Sequence, residues 1–316
     1  MKGYQVVSLW LVLLCLVIGT SLLWNLGSIL DQFNQMILLK VRIPRVLEAL
    51  IAGAVLTVAG QLFQIVLNNP LADSFTLGLA SGATFGAALP LFIGISVLWI
   101  PVFSIGTSML TLILVLAIVY TMAKQQPMRL LIITGLMIGA LFNALLYILI
   151  LIKPKQLNNV ANYMFGGFAT AEFYESWIML VVCLPLLLCL FIMIPRIKLL
   201  QVGDLKGQSL GLNVTTLTFY VLIIASMMSA IVIAYVGIIG FIGMIIPQLS
   251  RRIHHRYSLY IQMILNIIIG GTMMVITDWL GAIIIAPVQI PASIILAIIG
   301  IPVLFLMLIK SARFLR

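Results

Sequence analysis

Charged residues are scarce in this sequence: Asp, Glu, Lys and Arg make up 8% of its 316 residues, and only seven residues are acidic. A soluble domain carries roughly 25% charged residues, whereas 64% of this chain is hydrophobic. A folded chain of this size cannot hide that much apolar surface from water. A bilayer can, because its hydrocarbon core of about 30 Å takes about 20 apolar residues per helix. The composition therefore excludes the soluble, collagen-like and disordered classes of protein.

The sequence also lacks the common motifs of catalysis and of nucleotide hydrolysis. It contains no H-E-x-x-H, no G-x-S-x-G and no G-x-x-x-x-G-K-[ST] pattern. The stretch nearest to a phosphate-binding loop, Gly203–Gly207, has neither the spacing nor a flanking strand. We therefore expect no catalytic residue and no cofactor in this chain.

Histidine and cysteine do not predict a metal site. His254 and His255 are adjacent, so their side chains point to different sides of a helix and cannot bind one metal as an i, i+4 pair would. We interpret them as part of a solvated basic anchor over residues 251–257. The three cysteines lie inside apolar runs and are interpreted as small buried hydrophobic residues: Cys15, Cys183 and Cys189.

Long apolar runs predict a polytopic bundle of about ten transmembrane helices. Their length excludes the two-residue alternation of a transmembrane barrel, so the predicted fold class is an all-α membrane protein. Rows of glycines at four-residue spacing, such as Gly78, Gly82 and Gly86, predict close helix contacts. The predicted spans are 5–24, 43–67, 75–94, 99–122, 129–152, 176–195, 215–235, 238–250, 258–278 and 292–310.

The net charge of +10 reflects membrane topology rather than a nucleic-acid partner. Lys and Arg cluster at the ends of the apolar runs, and the side that carries more of them is usually cytoplasmic. If the N-terminus is inside, twelve of the 17 basic residues are cytoplasmic and five are not. The five outer residues are Lys40, Arg42, Arg45, Lys153 and Lys155. We predict that both termini are cytoplasmic.

Uphill transport by this chain would need an external source of energy. Ion-coupled carriers use ionisable groups in mid-membrane, but Asp278 ends its predicted span, and Glu48 is expected to pair with Arg45 one turn earlier. The missing nucleotide motif means that an ATP-driven system would use a separate ATPase chain. An ion-coupled secondary transporter and a membrane-embedded enzyme remain as alternatives from other classes.

The longest cytoplasmic connection, residues 196–214, is suited to hold such an ATPase. Asp204 is predicted to cap a short helix, and Gly211 to end it. Leu205 and Leu210 would supply apolar contacts beside the polar Lys206. The alternative is a plain linker that carries a surface helix.

Three groups of motifs, in order along the chain from about residue 40, resemble the signatures of the FecCD-type permeases. These are the membrane subunits of ATP-binding-cassette importers for iron-siderophores, haem and vitamin B12. The first group is Arg42-Ile-Pro-Arg45, Ala52-Gly53, Gly60, Gln64, Asn69-Pro-Leu-Ala72, Leu77-Gly78 and Ser81-Gly82-Ala83. The others are Gly203-Asp204 with Ser209-Leu210-Gly211, and Gly240-Phe-Ile-Gly243, Pro247, Arg251, Asp278, Ile290-Pro291 and Gly300-Ile-Pro302.

The resemblance implies that residues 1–316 are one transmembrane permease domain in a bacterial cell membrane. It implies a second permease subunit, identical or related, a pair of cytoplasmic ATPases and an extracytoplasmic substrate-binding protein. By this resemblance Arg42 and Arg45 dock the binding protein, and the turn of Asn69, Pro70 and Leu71 narrows the cytoplasmic exit. The implied ATPase-coupling residues are Asp204, Leu205, Lys206, Ser209, Leu210 and Gly211.

The same resemblance implies import of an iron complex, with a ferric siderophore first and haem or cobalamin as alternatives. The chain departs from the family pattern at three positions. Gln248 follows Pro247 where a histidine is common, Ala282 stands where an arginine often follows the late aspartate, and Gln289 replaces a glutamate. The docking surface of this chain therefore lacks one of the family's basic residues.

Overall fold

The computed structural model describes residues 3–122 and 127–313, which form a helical bundle. The helices within these ranges are α1 (Gly3–Leu23), α2 (Gln32–Ile37), α3 (Ile43–Val66), α4 (Leu79–Ile93), α5 (Ile100–Met122), α6 (Pro127–Ile152), α7 (Leu157–Phe165), α8 (Phe173–Leu200), α9 (Asp204–Ser209), α10 (Val214–Val236), α11 (Ile242–Ile253), α12 (Leu259–Ile283) and α13 (Ala292–Arg313). A π-helical turn, Leu38–Arg42, joins α2 to α3.

The prediction of about ten helices in an all-α membrane bundle is confirmed. Each of the ten predicted spans overlaps one helix of the bundle. Of the helices given above, the three that correspond to no predicted span are the short helices α2, α7 and α9. Within the described ranges, seven helical segments are long and apolar enough to cross a membrane. The short helix α7 was not predicted. Of the cysteines, Cys183 is buried as expected, whereas Cys15 and Cys189 lie on the outer surface of the bundle.

The helices alternate between two ends of the bundle. The basal end is where α1 begins, and it holds the connections 67–78, 201–213 and 254–258. The distal end holds the connections 24–42, 94–99, 153–156 and 284–291. The chain runs to the distal end in α1 and returns in α3, and this alternation continues to α13, with α4 and α11 covering only part of the distance.

Helix α3 lies at the centre of the bundle because small residues let its neighbours approach its backbone. A Cβ atom on Gly53 would lie 2.3 Å from the carbonyl oxygen of Gly270 in α12, and one on Gly60 would lie 1.9 Å from that of Gly243 in α11. Contacts of this kind replace the hydrophobic driving force, which is absent between helices in lipid.

The predicted glycine row packs α4 against α5 and α6. A Cβ atom on Gly82 would lie 2.1 Å from Oγ1 of Thr111, and one on Gly86 would lie 2.0 Å from Oγ1 of Thr107. Gly135 of α6 approaches the carbonyl oxygen of Thr76 in the same way, at 2.5 Å from its Cβ position. Close packing was therefore the correct interpretation of these rows.

Two helices, α4 and α11, begin inside the bundle rather than at one of its ends. Gly135, which contacts the residues just before α4, lies about 12 Å along α6 from the start of that helix. Helix α11 has 12 residues and is only about 18 Å long, too short to cross the hydrocarbon core. Irregular backbone at such depth is tolerated only where protein surrounds it.

Replacing Gly60 with Ala should destabilise the fold, because the new methyl carbon would lie 1.9 Å from a backbone oxygen of α11. Overpacking of this kind costs about 1–3 kcal/mol, which should lower the midpoint of detergent-induced unfolding in mixed micelles. Gly106→Ala is the matched control, since nothing lies within 4 Å of that Cβ position. Equal midpoints for the two variants would contradict the close contact.

Candidate functional site

The distal end is held together by one ion pair with two hydrogen bonds. Arg45 of α3 donates from Nε to Oδ2 of Asp278 at 2.5 Å and from Nη2 to Oδ1 at 2.8 Å. The side chains are 18% and 5% exposed, respectively. Because this fork-to-carboxylate geometry is largely shielded from water, the pair fixes the start of α3 against α12.

Arg42 is also engaged within the chain, but by neutral partners. Its Nη1 donates to the carbonyl oxygens of Leu22 and Trp24 at 2.8 and 2.7 Å, at the end of α1. Carbonyl groups at a helix C-terminus have no partner inside the helix, and a cation is favourable there. Arg42 therefore closes the end of α1 and keeps a positive charge that no carboxylate neutralises within the described residues.

The predicted ion pair between Arg45 and Glu48 is wrong. Arg45 points to α12, whereas Glu48, 2% exposed, points to the start of α8. There Glu48 accepts a hydrogen bond from the backbone N–H of Glu172 at 3.2 Å, and its carboxyl group meets that of Glu175. The sequence alone does not show whether Arg45 pairs with Glu48 or with Asp278. The packing of α12 against α3 brings Asp278 to Arg45.

A cavity of about 440 Å³ opens beside the two arginines at the distal end. Trp24 and Trp279 form part of its wall, with their rings edge to face and 5.5 Å apart. The indole Nε1–H of Trp279 is buried and has no acceptor among the described residues. The cavity thus combines aromatic surface with two arginines and one aspartate, which leaves one positive charge in excess.

A larger cavity of about 770 Å³ lies between α4, α5, α7 and α10 and the segment before α13. None of the residues that line it is charged. Its polar groups are amides and hydroxyls: Asn159, Asn162, Tyr163, Tyr235, Gln289, Thr84 and Thr170. The sequence did not predict this cavity, in part because it did not predict α7, which supplies Asn159, Asn162 and Tyr163.

The predicted gate turn, residues 69–71, follows α3 at the basal end. Asn69 shapes it, since its Oδ1 accepts a hydrogen bond from the backbone N–H of Leu71 at 2.9 Å. Just beyond, the buried Asp73 accepts from the backbone N–H groups of Phe75 and Thr76 at 3.0 and 3.1 Å. These local bonds turn the chain back into the bundle, so that α4 starts at depth. The three predicted gate residues therefore share one turn.

The predicted coupling residues lie on and beside α9 at the basal end. Gly203 rather than Asp204 stands at the cap position, and Asp204 is the first helical residue. Gly211 ends the helix as predicted, with φ +80°, and the N–H of Leu212 bonds the carbonyl oxygen of Gly207 at 3.1 Å. Leu210 is 65% exposed, although it is apolar. Lys206 and Ser209 are also exposed, and the side chains of Asp204 and Leu205 lie outside the described part.

The prediction that His254 belongs to a solvated anchor is wrong. Its ring is 6% exposed and packs edge-on against Trp10 of α1, with the centroids 6.5 Å apart. Burial lowers the pKa of His254 below its usual value, because it disfavours the charged ring. His255 is exposed, as expected.

Comparison with known proteins decides the family. A model described as the FecCD transport family matches residues 7–310. The chain belongs to the FecCD transport family. Membership makes it a multi-pass membrane permease of the ATP-binding-cassette type, which works with an ATPase and a second permease.

Relatives of this FecCD permease are named for different transported substrates. The Fe(3+)-citrate import permease YfmE of Bacillus subtilis is 32% identical over 90% of this chain and 85% of its own length. The molybdate import permease MolB of Haemophilus influenzae is 30% identical over 93% and 87%. A solved structure of a metal-chelate type ABC transporter in an inward-facing conformation is 27% identical, with a TM-score of 0.89 over 97% of this chain and 99% of that one.

Breaking the Arg45–Asp278 pair from either side should destabilise the distal end. Arg45→Ala leaves a buried carboxylate unpaired, a change that costs about 3 kcal/mol, and Asp278→Ala should cost somewhat less because Arg45 is partly exposed. The double variant should lose less free energy of unfolding than the sum of the two single losses, as measured by detergent-induced unfolding. Lys155→Ala, at an exposed cation of the same end, should change little. Strict additivity would show that the pair is not coupled.

Proposed function

We propose that the chain is the permease subunit of an importer that carries an iron complex, with a ferric siderophore as the first candidate. The observation that supports this most directly is the uncharged cavity of about 770 Å³ towards the distal end, which has the size of a small-molecule site. Haem and cobalamin are the alternatives within the same mechanism. ATP is hydrolysed by a separate subunit, and the permease does no chemistry.

The distal cavity suits an acidic side chain of a delivery protein. Arg42 supplies a charge that no carboxylate of the described residues neutralises in an ion pair, and Trp24 and Trp279 supply aromatic surface. Arg45 is already paired with Asp278, so it contributes mainly by fixing the cavity wall. Charges at the rim of an interface mainly set the encounter rate and the orientation of the partners.

The large cavity suits a coordinated metal better than a bare ion. A bare metal cation is held by carboxylates, imidazoles, thiolates or several carbonyl oxygens, whereas neutral amides, hydroxyls and apolar groups line this space. Its volume is in the range of ordinary small-molecule sites. A chelate that shields the charge of iron fits this lining, as the name of the Fe(3+)-citrate relative suggests.

The basal end carries the exit and the coupling surface in this proposal. The gate turn of Asn69, Pro70 and Leu71 narrows the exit. The residues Asp204 to Gly211 fit a cleft of the ATPase, with Leu210 as the exposed apolar contact. In this proposal the basal end and both termini face the cytoplasm of a bacterium, and the excess of Lys and Arg at that end supports this orientation. Residues 1–316 then act as one permease domain.

Two substitutions should distinguish the surface that binds the delivery protein from the surface that binds the ATPase. Arg42→Gln keeps a donor for the α1 carbonyls but removes the charge, so binding of the delivery protein should weaken at least about ten-fold and lose much of its salt dependence, while the ATPase stays bound. Leu210→Asp places a charge in the apolar contact and should release the ATPase while delivery-protein binding persists. Both are measured by binding to the permease in lipid nanodiscs.

Each variant is the control for the other, and Lys155→Gln tests loss of an exposed charge elsewhere on the distal end. Uptake of radioactive iron as a hydroxamate complex, as citrate and as haem identifies the cargo in the unmodified complex, with molybdate as a comparison. If Arg42→Gln released the ATPase, or Leu210→Asp released the delivery protein, the assignment of the two ends would be wrong. Transport of molybdate alone would reject the iron complex.

A further inference from the structure

We propose that Gln248 is a positioning residue that fixes the gate turn to α11, so that the turn and α11 move together. This proposal rests on the proposed function, in which residues 69–71 narrow the exit. The side-chain amide Nε2 of Gln248 donates a hydrogen bond to the carbonyl oxygen of Pro70. Among the described residues, this is the hydrogen bond that reaches the turn from outside residues 64–76.

The turn's own bonds attach it to the end of α3 but not to α11. Asn69 bonds Leu71 and Ala72 within the turn, and its N–H bonds the carbonyl oxygen of Gln64 in the preceding turn at 3.2 Å. Pro70 itself is exposed. The local bonds therefore set the shape of the turn and attach it to α3, whereas Gln248 attaches it to α11.

Helix α11 can hold the turn because it is anchored to α3 on both sides of Gln248. Nε2 of Gln64 donates to the carbonyl oxygens of Gly243 and Met244 at 3.2 and 3.0 Å. Oε1 of the same amide accepts from Nη2 of Arg251 at 3.2 Å. One buried amide thus grips α11 before and after Gln248.

Close backbone packing strengthens this anchor. Gly60 and Gly243 allow α3 and α11 to touch through their backbones, so α11 cannot slide without separating from α3. A rotation of α11 would instead carry the amide of Gln248 and, through it, the carbonyl group of Pro70. A movement of α11 is therefore expected to move the turn as well.

The chemistry of the bond allows a graded set of substitutions. Leucine has no donor, and ionised glutamate can only accept. Asparagine places its amide nitrogen one bond closer to the backbone and falls short. Histidine carries Nε2 three bonds from Cβ, as glutamine does, and a neutral imidazole can donate from that atom.

Hydrogen–deuterium exchange of the full chain in lipid nanodiscs tests the proposal. Gln248→Leu should raise exchange of the peptide that covers residues 67–78 about five-fold, as expected for loss of one hydrogen bond, with Gln248→Asn and Gln248→Glu behaving alike. Gln248→His should restore slow exchange. Gln262→Leu is the control, since Gln262 makes the same kind of bond to the carbonyl oxygen of Tyr257 at the same end. Peptides within α6 should not change in any variant.

Uptake of the iron complex is the second measurement. Gln248→Leu should lower the uptake rate several-fold, and Gln248→His should recover most of it. Unchanged exchange in Gln248→Leu, or a failure of histidine to restore it, would overturn the proposal. Because exchange needs no transport, an unmodified chain that carries nothing would reject the proposed function instead and leave the exchange result standing.

Discussion

Lipid tails cannot form hydrogen bonds with the protein backbone, and the rest of the structure depends on this constraint. Every N–H and C=O group within the hydrocarbon core needs a partner from the protein itself. Most find one inside long helices. The exceptions are the segment before α4 and the break between α10 and α11, and both are enclosed by α3 and its neighbours. Gly60 and Gly243 make that enclosure possible because their missing side chains let the backbones meet.

The interrupted elements are the ones that a transport cycle can use. A continuous helix has one stable form, whereas a turn held by a few side-chain bonds has a small barrier to movement. The turn of residues 69–71, which we propose as the gate, is bonded to α11 through the side chain of Gln248 at one end of the bundle. At the other end the Arg45–Asp278 pair is shielded and ties two long helices, so that end provides a rigid frame beside the charge of Arg42.

The sequence predicted most helices because apolar length is a strong signal in membrane proteins. It did not predict α7, whose nine residues mix asparagines with apolar side chains and resemble a loop. The predicted Arg45–Glu48 pair is wrong because sequence spacing shows only that two side chains lie one turn apart on a helix. It does not show that Asp278 of α12 packs against Arg45. Burial of His254 depends on Trp10, about 240 residues away. The docking and gate residues came from a family resemblance, since no local pattern predicts their roles, whereas the coupling segment was also predicted from its length, its helix ends and its apolar residues.

The central claim is that this permease moves its cargo only with energy from a separate ATPase. The most direct measurement is uptake of the iron complex into liposomes that hold the permease with or without that ATPase. The account predicts accumulation only when the ATPase, ATP and the delivery protein are all present, with no effect of dissipating the proton gradient. Accumulation against the gradient by the permease alone, abolished by an uncoupler, would contradict it.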